Sequence, residues 1–219
     1  MSQLNFHPVL LRLPFLLGGV GVTVLIATLA FGLGLFLAVL LVVLRFENKG
    51  FWCKASRSFS TALTNTPQLS QIFAVFYCLP LMGLMVSPFL SVVIGMTLNA
   101  AAYLADILGA GMARVPPVYH EVALTLGLNR RQTYLRVILP HVGRTMFPAL
   151  ANHFQIMILG SAMASIFGVE DLTGRAYDIG STTFRILEVM LVTGGLYAVL
   201  SFALTGFFVL CRRTMERMV

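Results

Sequence analysis

The sequence predicts an all-α, polytopic membrane bundle of about five transmembrane helices, and three observations lead there. Hydrophobic residues make up 58% of the 219 positions and charged residues 11%, against roughly 45–50% and about 25% in ordinary soluble domains. Apolar runs long enough to cross a bilayer, which takes about 20 residues in a helix, recur so closely that no soluble domain fits between them. Lys and Arg gather on one side of those runs. Residues 1–219 therefore read as a single membrane domain.

Taken in order, the first run, Phe15–Leu44, is far longer than the apolar core of a cleaved leader, so it reads as a retained first span. Phe59–Leu79 and Phe89–Leu108 are the second and third runs. The fourth, Tyr134–Phe167, carries Pro140 and Pro148, and Ile186–Leu210 is the fifth. Pro67, Pro140 and Pro148 read either as kinks around which helices open or as helix boundaries.

Orientation follows from charge. Arg45, Lys49, Lys54, Arg57, Arg114, Arg130, Arg131, Arg136, Arg144, Arg212, Arg213 and Arg217 flank one side of the runs, whereas Arg12, Arg175 and Arg185 flank the other. The positive-inside rule then places the N-terminus outside, the C-terminus in the cytoplasm and the largest cytoplasmic loop between spans three and four. The net charge of +7 is thus a topology signal. Basic residues scattered over helix ends are not the concentrated patch that nucleic acid requires.

Enzymatic readings find no motif. Neither Lys49 nor Lys54 ends a glycine loop that would cradle phosphates, and no G-x-S-x-G elbow surrounds Gly160-Ser161. Cys53, Cys78 and Cys211 lie far apart and read as packing residues. His7, His120, His141 and His153 have no ligand spacing, so no metal or other cofactor is expected in this chain.

The most informative stretch is the cytoplasmic loop, residues 115–128, and its continuation to Pro140. Pro117 suits a first helical turn, Gly127 suits the left-handed residue that ends a helix, and Asn129 with Gln132 forms a capping-box pattern that opens a new one. Val118, Val122 and Leu126 recur at helical spacing, beside Tyr119 and Ala123, on one face of this short helix. Such a helix either lies in the membrane interface or docks in a groove of a soluble partner.

Within the spans, Asn99, Tyr103 and Asp106 fall on one helical face, as do Asn152 and Gln155, with Ser161 and Ser165 on another. Polar groups at membrane depth either line a solute path or bind helices together. Asp106 has a further option, an ion pair with Arg114 at the helix end. The outward loop Val169–Arg185, of mixed charge, is either a docking surface or simply solvated.

Glu121-x-Ala123-x-x-x-Gly127, followed by Val137-x-Leu139-Pro140, resembles the EAA loop of bacterial ABC importer permeases, E-A-A-x3-G-x9-I-x-L-P. The resemblance is closest to the polar amino acid branch. Thr66-Pro67-Gln68-Leu69-Ser70-Gln71 is similar to its T-P-x-x-x-Q segment, and Leu98–Asp106 to its L-N-x-A-A-Y-x-x-E segment. Pro148–Asn152 and Gly168–Leu172 continue the match.

The resemblance implies an ABC type I importer permease-like bundle in the inner membrane. Glu121, Ala123, Gly127, Leu139 and Pro140 would couple it to a separate ATPase. It also implies an ATP-binding subunit dimer holding ATP and Mg, a second permease subunit and an external solute-binding protein. The cargo would be a small polar solute, an amino acid first of all, and Asn99, Tyr103, Asp106, Asn152, Gln155 and Ser161 are the path candidates. Val122 and Val118-Tyr119 depart from the loop pattern. Gly109 stands where the branch carries arginine, and Leu159-Gly160 where it carries Lys-Asp, which favours an unlike partner permease over a copy. A self-sufficient transporter or channel, or a scaffold without transport, are the competing expectations.

Overall fold

A computed structural model describes residues 4–47 and 50–217, so Lys49 lies outside the described residues. Every element in it is helical. A short α1 (His7–Leu11) leads into α2 (Leu13–Glu47), a 35-residue helix. Then come α3 (Phe51–Thr64), α4 (Gln68–Leu81) and α5 (Pro88–Ala113). A small α6 (Val118–Thr125) is followed by a compound helix in which α7 (Arg130–Gln132), a π-helical segment (Thr133–Ile138), α8 (Leu139–Gly160) and a 3₁₀ segment (Ser161–Phe167) run on without a break. The chain closes with α9 (Leu172–Thr183) and α10 (Ile186–Arg217).

Four of these are long and apolar enough to span a bilayer: Leu13–Phe46, Pro88–Ala113, Arg130–Phe167 and Ile186–Met215, with Gln68–Leu81 as a shorter apolar helix. The expected second span, Phe59–Leu79, is therefore corrected. Pro67 disfavours a helical Thr66, and the chain breaks there into two helices rather than one. The first of them, α3, is amphipathic, with Phe51 and Trp52 exposed near Lys54 and Arg57, the composition of a helix lying in a membrane interface. The second, α4, has 14 residues, about 21 Å at 1.5 Å per residue, short of the ~30 Å hydrocarbon core.

The core sits where α2 and α5 cross. Gly34 permits that approach, since a Cβ there would lie 2.6 Å from the Ala100 Cβ. Ala27, Ala30, Ala38, Ala100, Ala101 and Ala105 are fully buried beside it, small residues that let membrane helices come together. Ile72, Met96, Ile138, Val142 and Ile158 fill the remaining space. A second, smaller cluster of Val9, Leu16, Leu172, Ala176, Ile179 and Val189 closes the opposite end.

The outside of the bundle is apolar too. Phe202 is 77% exposed, Val199 66% and Phe36 64%, and they lie on spans rather than loops. Large contiguous apolar surface of this kind is covered by lipid or protein. The expected loop Val169–Arg185 is, for the most part, the helix α9. Asp171 caps it through Gly174 N–H (2.8 Å), and its inner face packs on α2 and α10.

Candidate functional site

The loop candidates form a short helix joined to the next span through a left-handed glycine and a capping box. In α6, Ala123 is buried against the bundle, whereas Val118, Val122, Leu124 and Leu126 are half exposed or more and Glu121 is exposed in the first turn. Gly127 takes φ +70, the left-handed conformation that glycine adopts without penalty. Leu128 N–H then reaches the Ala123 carbonyl (3.0 Å) and Gly127 N–H the Leu124 carbonyl (3.0 Å), which is a Schellman stop. Immediately afterwards Asn129 Oδ1 accepts from Gln132 N–H (2.9 Å) while Asn129 N–H donates to Gln132 Oε1 (3.0 Å). One helix is closed and the next opened within three residues.

Pro140 shapes the start of the adjoining span. It has no N–H to give to the carbonyl of Arg136, and the helix locally widens to π register, with Leu139 N–H bonded to the Tyr134 carbonyl five residues back. Such widened turns favour functional positions. The α6 helix rests on this segment through two ring contacts, Tyr119 with His141 (4.6 Å between centroids) and His120 with Tyr134 (6.0 Å). Val118, Val122, Leu126 and Val137 border an open groove between them.

The path candidates separate. Asn99 is buried, at 7% exposure. Tyr103 is partly exposed: its ring stacks on His153 (5.4 Å) and its hydroxyl donates to the Thr64 carbonyl (3.2 Å). Asp106 pairs at 2.8 Å with Arg45 from α2, not with Arg114, because Arg114 lies two turns on, where it ends α5. The same guanidinium bonds Ser56 Oγ (3.1 Å) and Ser60 Oγ, so the pair also fastens α3 to the bundle. Gln155 donates to the Ser201 carbonyl and to Thr205 Oγ1 (2.5 Å) on α10, while Asn152 is exposed beside it. Ser161 is fully enclosed and returns its hydroxyl to the Ile158 carbonyl (2.8 Å).

Two further polar residues join this region that residue spacing did not single out as path candidates. Gln68 Nε2 and His153 Nε2 are buried without a hydrogen-bond partner among the described residues, which is uncommon enough to require an explanation. Gln68 Oε1 lies beside Gly160, and His153 beside Tyr103. Gln68 of α4 and Tyr103 of α5 thus each meet α8, one at Gly160 and the other at His153. Uncharged polar residues inside apolar runs were the available signal. Gln71 donates through Nε2 to the Leu63 (2.7 Å) and Thr66 (3.0 Å) carbonyls, sealing the α3 end where Pro67 breaks the helix, while its Oε1, like Thr97 Oγ1, is also buried without a partner among the described residues.

Comparison with known proteins accounts for this arrangement. Residues 30–217 match the family model described as "Binding-protein-dependent transport system inner membrane component". The arginine transport system permease protein ArtQ of Bacillus subtilis is 28% identical, over 93% of each chain. The probable amino-acid ABC transporter permease protein PatM of Vibrio harveyi is 32% identical, over 88% of each. In three dimensions the chain is similar to a subunit in the crystal structure of an amino acid ABC transporter with histidines, with TM-score 0.88, 26% identity, and coverage of 97% of this chain and 100% of the other. Loop helix, apolar exterior and matched length agree: this chain belongs to the family of inner membrane components of binding-protein-dependent transport systems, the permease subunits of ABC importers.

Proposed function

We propose that this permease carries an amino acid inward along a path it shares with a second, unlike permease subunit, driven by a separate ATPase that engages α6. The observation that carries the reading is the lever itself. Glu121, Val122 and Leu126 face outward, Ala123 and Gly127 hold the helix and its hinge, and Leu139 and Pro140 begin the span that the hinge would move.

Amino acid cargo is supported by relatives whose names give arginine and amino-acid transport. The chain itself contributes no catalytic or metal-binding residue to the reading; ATP and Mg belong to the ATP-binding subunit dimer, and solute arrives from an external binding protein. In sequence, twelve of the fifteen basic residues flank the apolar runs on the side of the α6 loop, which supports a cytoplasmic lever, an external N-terminus and a cytoplasmic C-terminus. Exposed Tyr177 and Phe184, at the opposite end, are then available to the binding protein.

The path would run along the face where α4 and α5 meet α8. Asn99, Tyr103 and Asp106 approach it from α5 and Ser161 stands at its far end in a packing role, whereas Asn152 and Gln155 lie on the α10 side of α8, away from it. Gln68 and His153, each with an unserved donor or acceptor, are the side chains with hydrogen bonds still to give. A chain with so few spans cannot enclose a wet path while satisfying its own backbone, hence the second subunit.

The test is ATP-driven uptake in proteoliposomes holding the purified complex and its binding protein. Gly127→Pro, which cannot adopt φ +70, is expected to abolish uptake while leaving the chain in the membrane. Full uptake by that variant would refute the lever.

A further inference from the structure

Three cavities follow one another along α8 and α10, neighbouring ones sharing wall residues. At the α6 end is a basic foot lined by Tyr119, His141, Arg144, Thr145 and Arg212, with no carboxylate among the described residues that line it. Arg144 is exposed and, unlike Arg45 or Arg175, makes no hydrogen bond or ion pair among the described residues. Pro148 and Arg212 also border the next cavity, where Asn152, Gln155 and Thr205 supply a few polar atoms. Phe147, Ala151 and Phe208 belong to that cavity and to the last one, whose other walls are Phe31, Leu35, Leu150, Phe154, Leu204 and Phe207. From Arg144 to Phe154 the groove follows ten residues of helix, about 15 Å.

The order along this groove is cationic, weakly polar, then wholly apolar. It runs from a bundle end rich in basic residues toward mid-membrane. A peptide partner would have to satisfy its backbone in the apolar stretch, and a small free anion would leave that stretch empty. A molecule with an anionic head and a hydrocarbon tail matches all three parts, and basic pockets between spans at the cytoplasmic side are where anionic headgroups bind.

We propose that the α8–α10 groove is a binding site for an anionic phospholipid of the leaflet on the α6 side. Its phosphate lies at Arg144 and His141, beside Arg212, and one acyl chain lies in the apolar cavity walled by Phe31, Leu35, Leu204 and Phe207, along the outer edges of the Phe147, Phe154 and Phe208 rings. Through Tyr119, whose ring meets that of His141 with 4.6 Å between centroids, the headgroup sits against α6.

The site is tested on the assembled complex, purified in mild detergent and incubated with dioleoyl phosphatidylglycerol or dioleoyl phosphatidylcholine, with retained lipid measured by native mass spectrometry. This readout needs no transport, so its failure and a failure of uptake are separate results. Phosphatidylglycerol is expected to be retained several-fold over phosphatidylcholine. Arg144→Gln, on the surface, lowers that retention about fivefold, and Ala151→Phe, which fills the middle of the groove, lowers retention of both lipids. Displacement by glycerol phosphate is expected to be slight. Equal retention of the two lipids, retention unchanged in both variants, or full displacement by glycerol phosphate would each overturn the proposal. So would a photoreactive side chain at Phe207 that labels the second permease and not lipid.

Discussion

Gly127 and Asp171 show how single residues set the two ends of this molecule. At Gly127 a side chain would meet open space, so the objection to alanine is conformational alone, about 1–2 kcal/mol for a left-handed residue. Gly127→Ala is therefore expected to assemble with the ATPase but to transport less than the wild type in the uptake assay. Asp171 is fully buried. Burial pushes its carboxyl above the ordinary value, against the opposing pull of hydrogen bonds from Gly174, Thr173 and Tyr197. The folded chain then holds this proton more tightly than the unfolded chain. Its contribution to stability is complete below the ordinary carboxylate pKa of about 4 and falls as pH rises through the raised value. Asp171→Asn keeps an equally good helix cap, and thermal unfolding between pH 4 and 8 should show a flatter pH dependence in the variant. An unchanged slope would remove Asp171 as its source. The roles of Gly127, Asn129 and Gln132 were legible because turn and cap chemistry is local. The partner of Asp106 was not, since Arg45 lies 61 positions away and only the packing of α2 on α5 brings it near.

Among the elements, α3 is where sequence and structure part. Hydropathy alone joins Phe59 to Leu79, and the break at Asn65–Pro67 is visible only when Pro67 is weighed together with the Thr64, Asn65 and Thr66 side chains that turn back to the Ser60, Thr61 and Ala62 carbonyls. What holds α3 in place is Arg45. Its guanidinium is largely buried, whereas half of the Asp106 side chain is exposed. Removing the exposed partner costs about 1 kcal/mol at most, but removing the arginine strands Ser56, Ser60 and Asp106 together. Arg45→Met should therefore lower stability by about 2–3 kcal/mol, and Asp106→Asn by far less, measured as thermal shifts in one detergent. Equal shifts would mean that α3 is held by its apolar face instead. At the α2–α5 crossing, Gly34→Leu is expected to cost about 1–3 kcal/mol, since even a Cβ crowds Ala100.

At the scale of the whole molecule, the four long spans and their order were readable because a bilayer imposes length and apolarity on each helix independently. Packing order was not, because α5 is mostly buried and α10 mostly bare although both are predominantly apolar, and in lipid no continuous polar face marks the inside. The contacts of Tyr103 with His153 and of Gln68 with Gly160 escaped for the same reason. The long α2, the compound helix Arg130–Phe167 and α10 leave α6 hung at the basic end of the bundle, joined to it by a hinge and two ring contacts. The central claim is that this helix is a socketed lever, and the most direct measurement places a photoreactive amino acid at Val122 in the membrane-embedded, assembled transporter. Recovery of one major crosslink, to the ATP-binding subunit and altered by nucleotide, is the predicted result. Labelling of lipid or of the chain itself alone, with the ATPase present and active, would contradict it.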